Sequence, residues 1–270
     1  MKDLSIIILN YRQSGLIKYL LKRLIDDSPR LDYEIIVVDN DSHDDIDKIT
    51  SAFGEPIILI KAEKNRGYAA GNNLGIKLAN GKYIMILNPD IDISGQSIET
   101  LVEFMNNNPK VGIAGPRINN PDGTLQYSCS RFPDWRLPFF RRTFLGATVR
   151  GKKWINSYLM IDANHNQNMP VDWLFGACLI IRAEALKTTG LLDERYFLYM
   201  EDLDWCRRFW QNDWEVWYTP TAKAVHFHQR QSAEGFVLTA LFSPIARIHL
   251  MSWFRYFYKF LNQPNPRQKN

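Results

Sequence analysis

Four short apolar runs, separated by segments with helical spacing, constrain this chain more than any other feature. Leu4–Leu9, Glu34–Val38, Ile57–Ile60 and Tyr83–Leu87 are nearly continuous in apolar residues, as expected of strands covered on both faces. Between them Ile17, Leu20, Leu21 and Leu24 recur at helical spacing, as do Ile98, Leu101, Val102 and Met105 after the fourth run. Ser42 followed by Asp45 reads as a capping box opening a helix toward Phe53. The Gly/Asn-rich stretch from Asn65 to Gly75 leads into a helix ending near Gly81. Repeated βα units of this kind predict an α/β fold with a doubly wound, mostly parallel, Rossmann-like sheet. Right-handed crossovers then bring the carboxyl ends of the strands to one edge, where such sheets take ligands.

The second half is less regular. Asn119-Asn120-Pro121-Asp122-Gly123 is a turn cluster. From Ser130 to Pro170 little periodicity remains, and this reads as an irregular insertion, either surface cover or a lid. Order returns with Val171–Ile181, a helix over an acidic cluster and a short strand at Val216–Tyr218. In the tail, Leu250, Trp253, Phe254, Phe257, Phe260 and Leu261 share a helical arc of about 120°, and Arg247, Arg255 and Lys259 share another. That pattern suits a helix lying in an anionic membrane interface, or one docked on the domain or on a dimer partner.

A chain of 270 residues holds one large domain or two small ones. A net charge of +4 without a basic array gives no support for nucleic-acid binding. Cys129, Cys178 and Cys206 are too dispersed for a disulfide framework or a CxxC metal site, and read as reduced cytosolic thiols. The apolar start is too short for a signal peptide, and no window reaches the ~18 apolar residues of a membrane span.

The polar residues that close the strands are the candidate site. They are Asn10-Tyr11-Arg12, Asp39-Asn40-Asp41-Ser42 and Asn88-Pro89-Asp90. Asp39 is placed to accept hydrogen bonds from a nucleoside and Tyr11 to lie against its base; helix capping is the alternative for Asp39. Residues 10–15 read NYRQSG, so GxGxxG fails, and no GxxxxGK[ST] occurs. Gly67, Gly71 and Gly75, preceded by Asn65-Arg66, would bring a helix N-terminus and a cation toward a diphosphate, or else permit tight helix–sheet packing. Asn88, Asp90 and Asp92 alternate as oxygen ligands suited to Mg²⁺ or Mn²⁺, or as acidic caps of a turn. His226 and His228 alternate on a strand-like run, and one of them could join a metal.

The stretch FLYMEDLDWCRR, residues 197–208, gathers Glu201, Asp202 and Asp204 among aromatic residues. Carboxylates in such surroundings need compensation or a task. With a helix beginning near Glu201, Asp202 is the candidate base and Glu201 a hydrogen-bonding neighbour. Asp204 is scaffold, with Arg208 available to pair with it or with Glu201; an ordinary acidic helix N-terminus is the alternative.

Taken in order, SIIILNY (5–11), VVDNDS (37–42), NRGYAAGNNLG (65–75), GKYIMILNPD (81–90), VDWLFGACLIIR (171–182), GLLDERYFLYMEDLDWCR (190–207) and HFHQRQS (226–232) resemble family 2 glycosyltransferases of GT-A fold over roughly residues 4–232. The LNPD form, the SRFP run at 130–133 and the FLYMEDLDWCRR block are similar to bacterial surface-polysaccharide rhamnosyltransferases. The resemblance implies a transferase domain over 1–235, with a nucleotide-sugar half (1–118) and an acceptor half (119–235), followed by a tail (236–270). It implies that Asn10, Tyr11, Asp39, Arg66, Gly67, Asn72 and Asn73 shape the donor site and that Asn88 and Asp90 occupy the DxD position with Asn88 in place of the first Asp. It also implies a divalent metal at Asp90, Asn88 and His226, Trp173 and Gly176 on the acceptor side, and Asp202 as base. The implied activity is inverting transfer, with dTDP-rhamnose as donor and a UDP-hexose as fallback, to a glycan or polyprenyl-linked saccharide. The place would be the inner face of the cell membrane, with a homodimer possible. A sugar-phosphate nucleotidyltransferase would want a Gly-rich loop at residues 10–15. A non-catalytic binding relative would be expected to lack Asp202 or Asp90, and both are present.

Overall fold

The computed structural model describes residues 1–137, 140, 143–227 and 243–269. Along the chain run β1 (Lys2–Asn10), α1 (Ser14–Asp26), β2 (Tyr33–Asp39), α2 (Ile46–Phe53), β3 (Ile57–Lys61), α3 (Tyr68–Leu78) and β4 (Gly81–Leu87). They are followed by β5 (Ile91–Ile93), α4 (Gly95–Asn107), β6 (Val111–Asn119), β7 (Leu125–Gln126), β8 (Cys129–Ser130), α5 (Val149–Tyr158), β9 (Met169–Pro170) and β10 (Trp173–Leu174). Next come β11 (Cys178–Arg182), α6 (Leu186–Thr189), α7 (Glu201–Gln211), β12 (Glu215–His226) and α8 (Pro244–Lys259).

The expected parallel half is present. β3, β2, β1 and β4 are neighbours in that order and run parallel. The sheet continues through β11, β6, β12 and β5. β11 is antiparallel to both β4 and β6, so β6 and β12 again point the same way as β4. Asn10, Asp39 and Lys61 stand side by side in the β1–β2–β3 register, which aligns the carboxyl ends.

Two cores cover the two faces. Leu4, Ile6 and Ile8 of β1 pack with α1 and α4, whereas Ile7 packs with Ile36, Ile84, Trp205 and Phe209 on the other side. This is the period-2 alternation of a doubly covered strand. α3 lies close on β1 because of its glycines. A Cβ at Gly71 would collide with the Leu9 side chain, and one at Gly75 would lie 2.6 Å from Ile7 Cγ2. These two glycines therefore serve helix–sheet packing, the second of the two readings given above.

Several local expectations need correction. Ser42 does not cap α2, whose N-cap is Asp45 without a side-chain bond. Instead Ser42 Oγ donates to the Asn10 carbonyl and accepts from the Arg12 N–H, tying the β1 and β2 ends together. The segment 130–170 carries the ten-residue helix α5. The strand expected at Val216–Tyr218 extends over twelve residues to His226. His228 and residues 241–242 of the tail lie outside the described residues.

The tail helix is docked on the domain. Tyr256 and Phe260 are buried, and Trp253 and Phe257 pack against the same core as α7. Leu250, Phe254 and Leu261 of the expected apolar arc remain exposed, with Met251 and Tyr258 beside them. The basic arc also divides. Lys259 reaches Asp204 at 2.5 Å and Asp193 at 2.8 Å, and Arg255 bonds the Arg195 carbonyl. Among the described residues no helix is long and apolar enough to cross a membrane.

Candidate active site

Asp202 lies in the first turn of α7, one residue after its start. Tyr199 and Met200 precede the helix with φ of 68° and 73°, a left-handed pair that L-residues adopt only at a cost. The turn they make leads straight into the two carboxylates at the positive end of the helix dipole. Asp202 Oδ2 accepts the Gly176 N–H at 2.9 Å, and Oδ1 accepts the Leu203 N–H at 2.7 Å. Burial pushes its pKa up to about 6, against the lowering effect of those backbone donors. Glu201 is 5% exposed, and its Oε2 has no hydrogen-bond partner among the described residues. Burial first, and then the Asp202 charge, holds its carboxyl well above the usual range.

Gly176 joins this pair to the carboxyl edge of the sheet. Its carbonyl accepts the Tyr68 hydroxyl at 2.7 Å, and the same hydroxyl is 3.0 Å from Asn88 Oδ1. Asn88 donates its N–H to the Ala177 carbonyl at 2.9 Å, just beyond the Leu87–Cys178 register pair. A continuous chain of contacts thus runs Asp202–Gly176–Tyr68–Asn88. Tyr68 remains a phenol, because burial and the nearby Glu201, Asp202 and Asp90 charges raise its pKa well above the ordinary value. Tyr68 lies inside the NRGYAAG run but is not singled out by sequence, since its task depends on residues 20 and 108 positions away.

Asp90 Oδ2 is 3.2 Å from His226 Nε2, and His226 Nδ1 is 2.9 Å from Gln126 Oε1. Both ring nitrogens therefore face oxygen acceptors. A carboxylate beside an imidazole nitrogen at the carboxyl edge of the sheet suits a divalent ion completed by substrate phosphates. Asp92 does not belong to the set. It turns away and accepts from Arg23 Nε at 3.1 Å. Among the described residues no cluster of three or more His, Cys, Asp or Glu surrounds a potential ion.

The other predicted residues divide by what they touch. Asn10 is fully buried, and its amide donates to Asp39 at 3.2 Å and to Asp44 at 3.0 Å. Asp39 also accepts the Ser42 N–H at 3.2 Å. Tyr11 is exposed on the edge, with the Arg12 guanidinium 5.2 Å from its ring centre. Gly67 has φ of 97°, and a Cβ there would strike the Phe197 carbonyl. That carbonyl accepts the Tyr68 N–H at 2.7 Å, fixing the loop before Asp202 to the start of α3. Asn40 and Asn65 brace the same loop. Arg66 is solvent-facing and 3.3 Å from Glu194. Asn72 is buried; its amide donates to the Tyr68 carbonyl at 3.0 Å, and its Oδ1 has no partner among the described residues. Asn73 brackets Leu192 and Glu194. Trp173 is buried, with its indole N–H on the Arg131 carbonyl at 3.0 Å, so it anchors the 130s segment. Asp204 is scaffold, paired with Arg208 at 2.7 Å.

A family model described as "Glycosyl transferase family 2" matches residues 5–189. The "Low-salt glycan biosynthesis hexosyltransferase Agl10" of Haloferax volcanii is 30% identical over 228 residues, 83% of this chain and 67% of that protein. The "N-acetylglucosaminyl-diphospho-decaprenol L-rhamnosyltransferase" of Mycobacterium tuberculosis is 32% identical over 144 residues, 53% of this chain and 46% of that protein. The chain thus spans about half to two thirds of the length of these relatives. Among solved structures, GalNAc-T7 with UDP, GalNAc and Mn²⁺ has a TM-score of 0.69 at 14% identity, covering 97% of this chain and 49% of that one. The likeness in fold is to GT-A glycosyltransferases. With the matched segment spanning the sheet edge and reaching past Gly176, the chain belongs to glycosyl transferase family 2.

Proposed function

We propose that this protein is an inverting rhamnosyltransferase that uses dTDP-rhamnose and acts on a glycan or polyprenyl-linked saccharide. The observation that carries the reading is the contact chain from Asp202 through Gly176 and Tyr68 to Asn88. It connects a carboxylate with base character to the edge where a nucleotide diphosphate would lie.

Asp202 takes the proton of the acceptor hydroxyl as that oxygen forms its bond to the anomeric carbon. The bond from that carbon to the diphosphate oxygen breaks on the opposite face, which inverts the configuration. A carboxyl with a pKa of about 6 is ionised at neutral pH yet basic enough to share the proton. Glu201 beside it hydrogen-bonds the acceptor hydroxyl. Tyr11 and Asp39 take the nucleoside. Asp90 and His226, with Asn88 nearby, would hold a divalent cation, Mg²⁺ or Mn²⁺, which would supply positive charge to the leaving diphosphate. Support comes from the paired acceptors around His226 and from the Mn²⁺ bound in a protein of the same fold. The rhamnose and lipid-diphosphate readings draw on the mycobacterial relative. The hexosyltransferase relative favours a UDP-hexose as the alternative donor.

Peripheral contact with the inner face of a membrane is proposed through the exposed side of α8, where Met251, Phe254, Tyr258 and Leu261 recur at helical spacing. The alternative occupant of that side is a second copy of the chain, which light scattering would reveal.

The test is a thermal-shift panel of dTDP-rhamnose and UDP-hexoses with Mg²⁺ or Mn²⁺, followed by transfer to a lipid-diphosphate N-acetylhexosamine. Stabilisation by dTDP-rhamnose together with transfer supports the reading. Transfer from UDP-hexose alone replaces the donor, and binding without any transfer overturns the function.

A further inference from the structure

Beyond the site above, the described residues form a cleft of about 560 Å³, lined by Arg117, Asn119, Asn166, Pro220, Thr221 and Lys223. Arg117 and Lys223 are register partners on adjacent parallel strands. Strands so paired lie about 4.8 Å apart, and like charges placed opposite one another repel. Among the described residues neither of them pairs with a carboxylate. Arg117 Nε donates to Asn119 Oδ1 at 3.1 Å, and Nη1 to Asn166 Oδ1 at 3.0 Å and to the His165 carbonyl at 3.4 Å. All three acceptors are neutral, so among the described residues the guanidinium is held in place without an ion pair. Lys223 forms no ion pair among the described residues, and its backbone N–H donates to Ser97 Oγ at 3.2 Å.

The strand geometry builds this arrangement. β12 pairs Thr219 with Pro116 and then Lys223 with Arg117, so residues 220–222 arch out with no counterpart on β6. That bulge forms one wall of the cleft, and bulges of this sort re-aim side chains next to functional sites. His226 lies three residues further along the same strand, about 10 Å at strand rise. Arg117 follows Ile113 by four strand positions and so shares its face, the face on which Leu203 and Trp205 of α7 are packed.

We propose that this cleft binds a phosphate-bearing group, with the two cations clamping it and Asn119, Asn166 and Thr221 supplying neutral polar groups. Two sources offer that chemistry: the diphosphate of a lipid-linked acceptor, or an anionic lipid headgroup. Assigning it to the acceptor rests on the sugar-transfer reading; phosphate binding itself does not.

The experiment titrates inorganic pyrophosphate, farnesyl diphosphate and dTDP into the wild type and into Arg117→Gln/Lys223→Gln. Sedimentation with phosphatidylglycerol vesicles forms a separate arm. The double variant is expected to bind pyrophosphate and farnesyl diphosphate about ten-fold or more weakly, with dTDP affinity unchanged. Arg117→Lys, which keeps the charge, should retain most of the binding. A loss confined to vesicles also supports a phosphate site and assigns it to a headgroup. Unchanged affinity in every arm, or an equal loss of dTDP, overturns the proposal. Each readout is binding, so failure of transfer in the wild type would sink the functional reading without touching this one.

Discussion

The backbone N–H of Gly176 donates to Oδ2 of Asp202 at 2.9 Å. Through that bond a residue at the sheet edge orients a carboxylate carried by a helix, and the Gly176 carbonyl simultaneously accepts Tyr68. Both groups therefore depend on the position of one residue, through the two peptides that flank its Cα.

Substitution at Gly176 measures that dependence. A Cβ there would lie 3.4 Å from Asp202 Cβ and 3.5 Å from the Tyr68 hydroxyl, which is ordinary contact. Gly176→Ala should keep most of the activity. Gly176→Val adds two methyl groups into the same space and should displace the carboxylate, lowering kcat roughly 100-fold, since misplacement by about 1 Å costs that much. Steady-state kinetics together with circular dichroism check this. A fully active Val variant would remove the positioning role.

Asp202→Asn tests the base and its pH dependence together. The wild-type kcat/KM should rise through about pH 6 as Asp202 ionises. Asn should abolish transfer while leaving dTDP binding intact. The stability sign follows from the raised pKa. A carboxyl that is harder to ionise when folded stabilises fully only below its unfolded pKa near 4, and that stability is lost as pH rises through about 6. The Asn variant should therefore match or exceed the wild-type Tm at pH 8, with the gap closing toward pH 4. A melting series across pH reads this directly, and a variant that melts lower at pH 8 contradicts it.

Asn88→Asp restores a second carboxylate beside Asp90. With Tyr68 able to donate to the new carboxylate, the substitution fits without new space. The metal concentration needed for half-maximal activity should fall several-fold, because hard cations favour added carboxylate charge. Asp90→Ala should weaken nucleotide binding only when metal is present. Titration of Mn²⁺ in the transfer assay, with chelator controls, decides both. An Asn88→Asp enzyme indifferent to metal argues against an ion at this edge.

Much of this architecture is legible from pattern. The runs at Leu4–Leu9 and Tyr83–Leu87 read as buried strands because both of their faces are covered. The carboxylates of FLYMEDLDWCRR stand out because their setting is apolar. Other features depend on distant partners that spacing does not encode. Ser42 has a capping pattern, yet its hydroxyl serves Asn10 and Arg12. Asp92 alternates correctly with Asp90, yet Arg23 on α1 takes it away. The β11 strand inserts antiparallel between β4 and β6, an order that no local periodicity reveals. In α8 a helical wheel groups Phe254 with Phe257, but cannot say which side of the arc docks. The structure buries Tyr256 and Phe260 and leaves Phe254 in solvent.

That docking has a measurable consequence at Lys259. Asp204 is fully buried and receives Lys259 at 2.5 Å, Arg208 at 2.7 Å and the Tyr196 hydroxyl at 3.3 Å. Lys259 also bonds Asp193. Burial opposes the ionisation of Asp193, but the bonds from Arg195 and Lys259 outweigh it and hold its pKa below the usual range. Lys259→Met removes one of two cations from a buried carboxylate, a change worth up to roughly 3 kcal/mol, and a Tm lower by about 5–10 °C is expected. Stability from a depressed carboxylate is present above its unfolded pKa near 4 and fades as pH falls through the folded value. The Asp193 share of the deficit should therefore be full at pH 7 and shrink in acid. Asp204→Asn added to Lys259→Met removes the stranded charge and should recover part of the loss. If the double variant is no more stable than Lys259→Met alone, the deficit lies in lost packing of the helix and not in an uncompensated charge beneath α7.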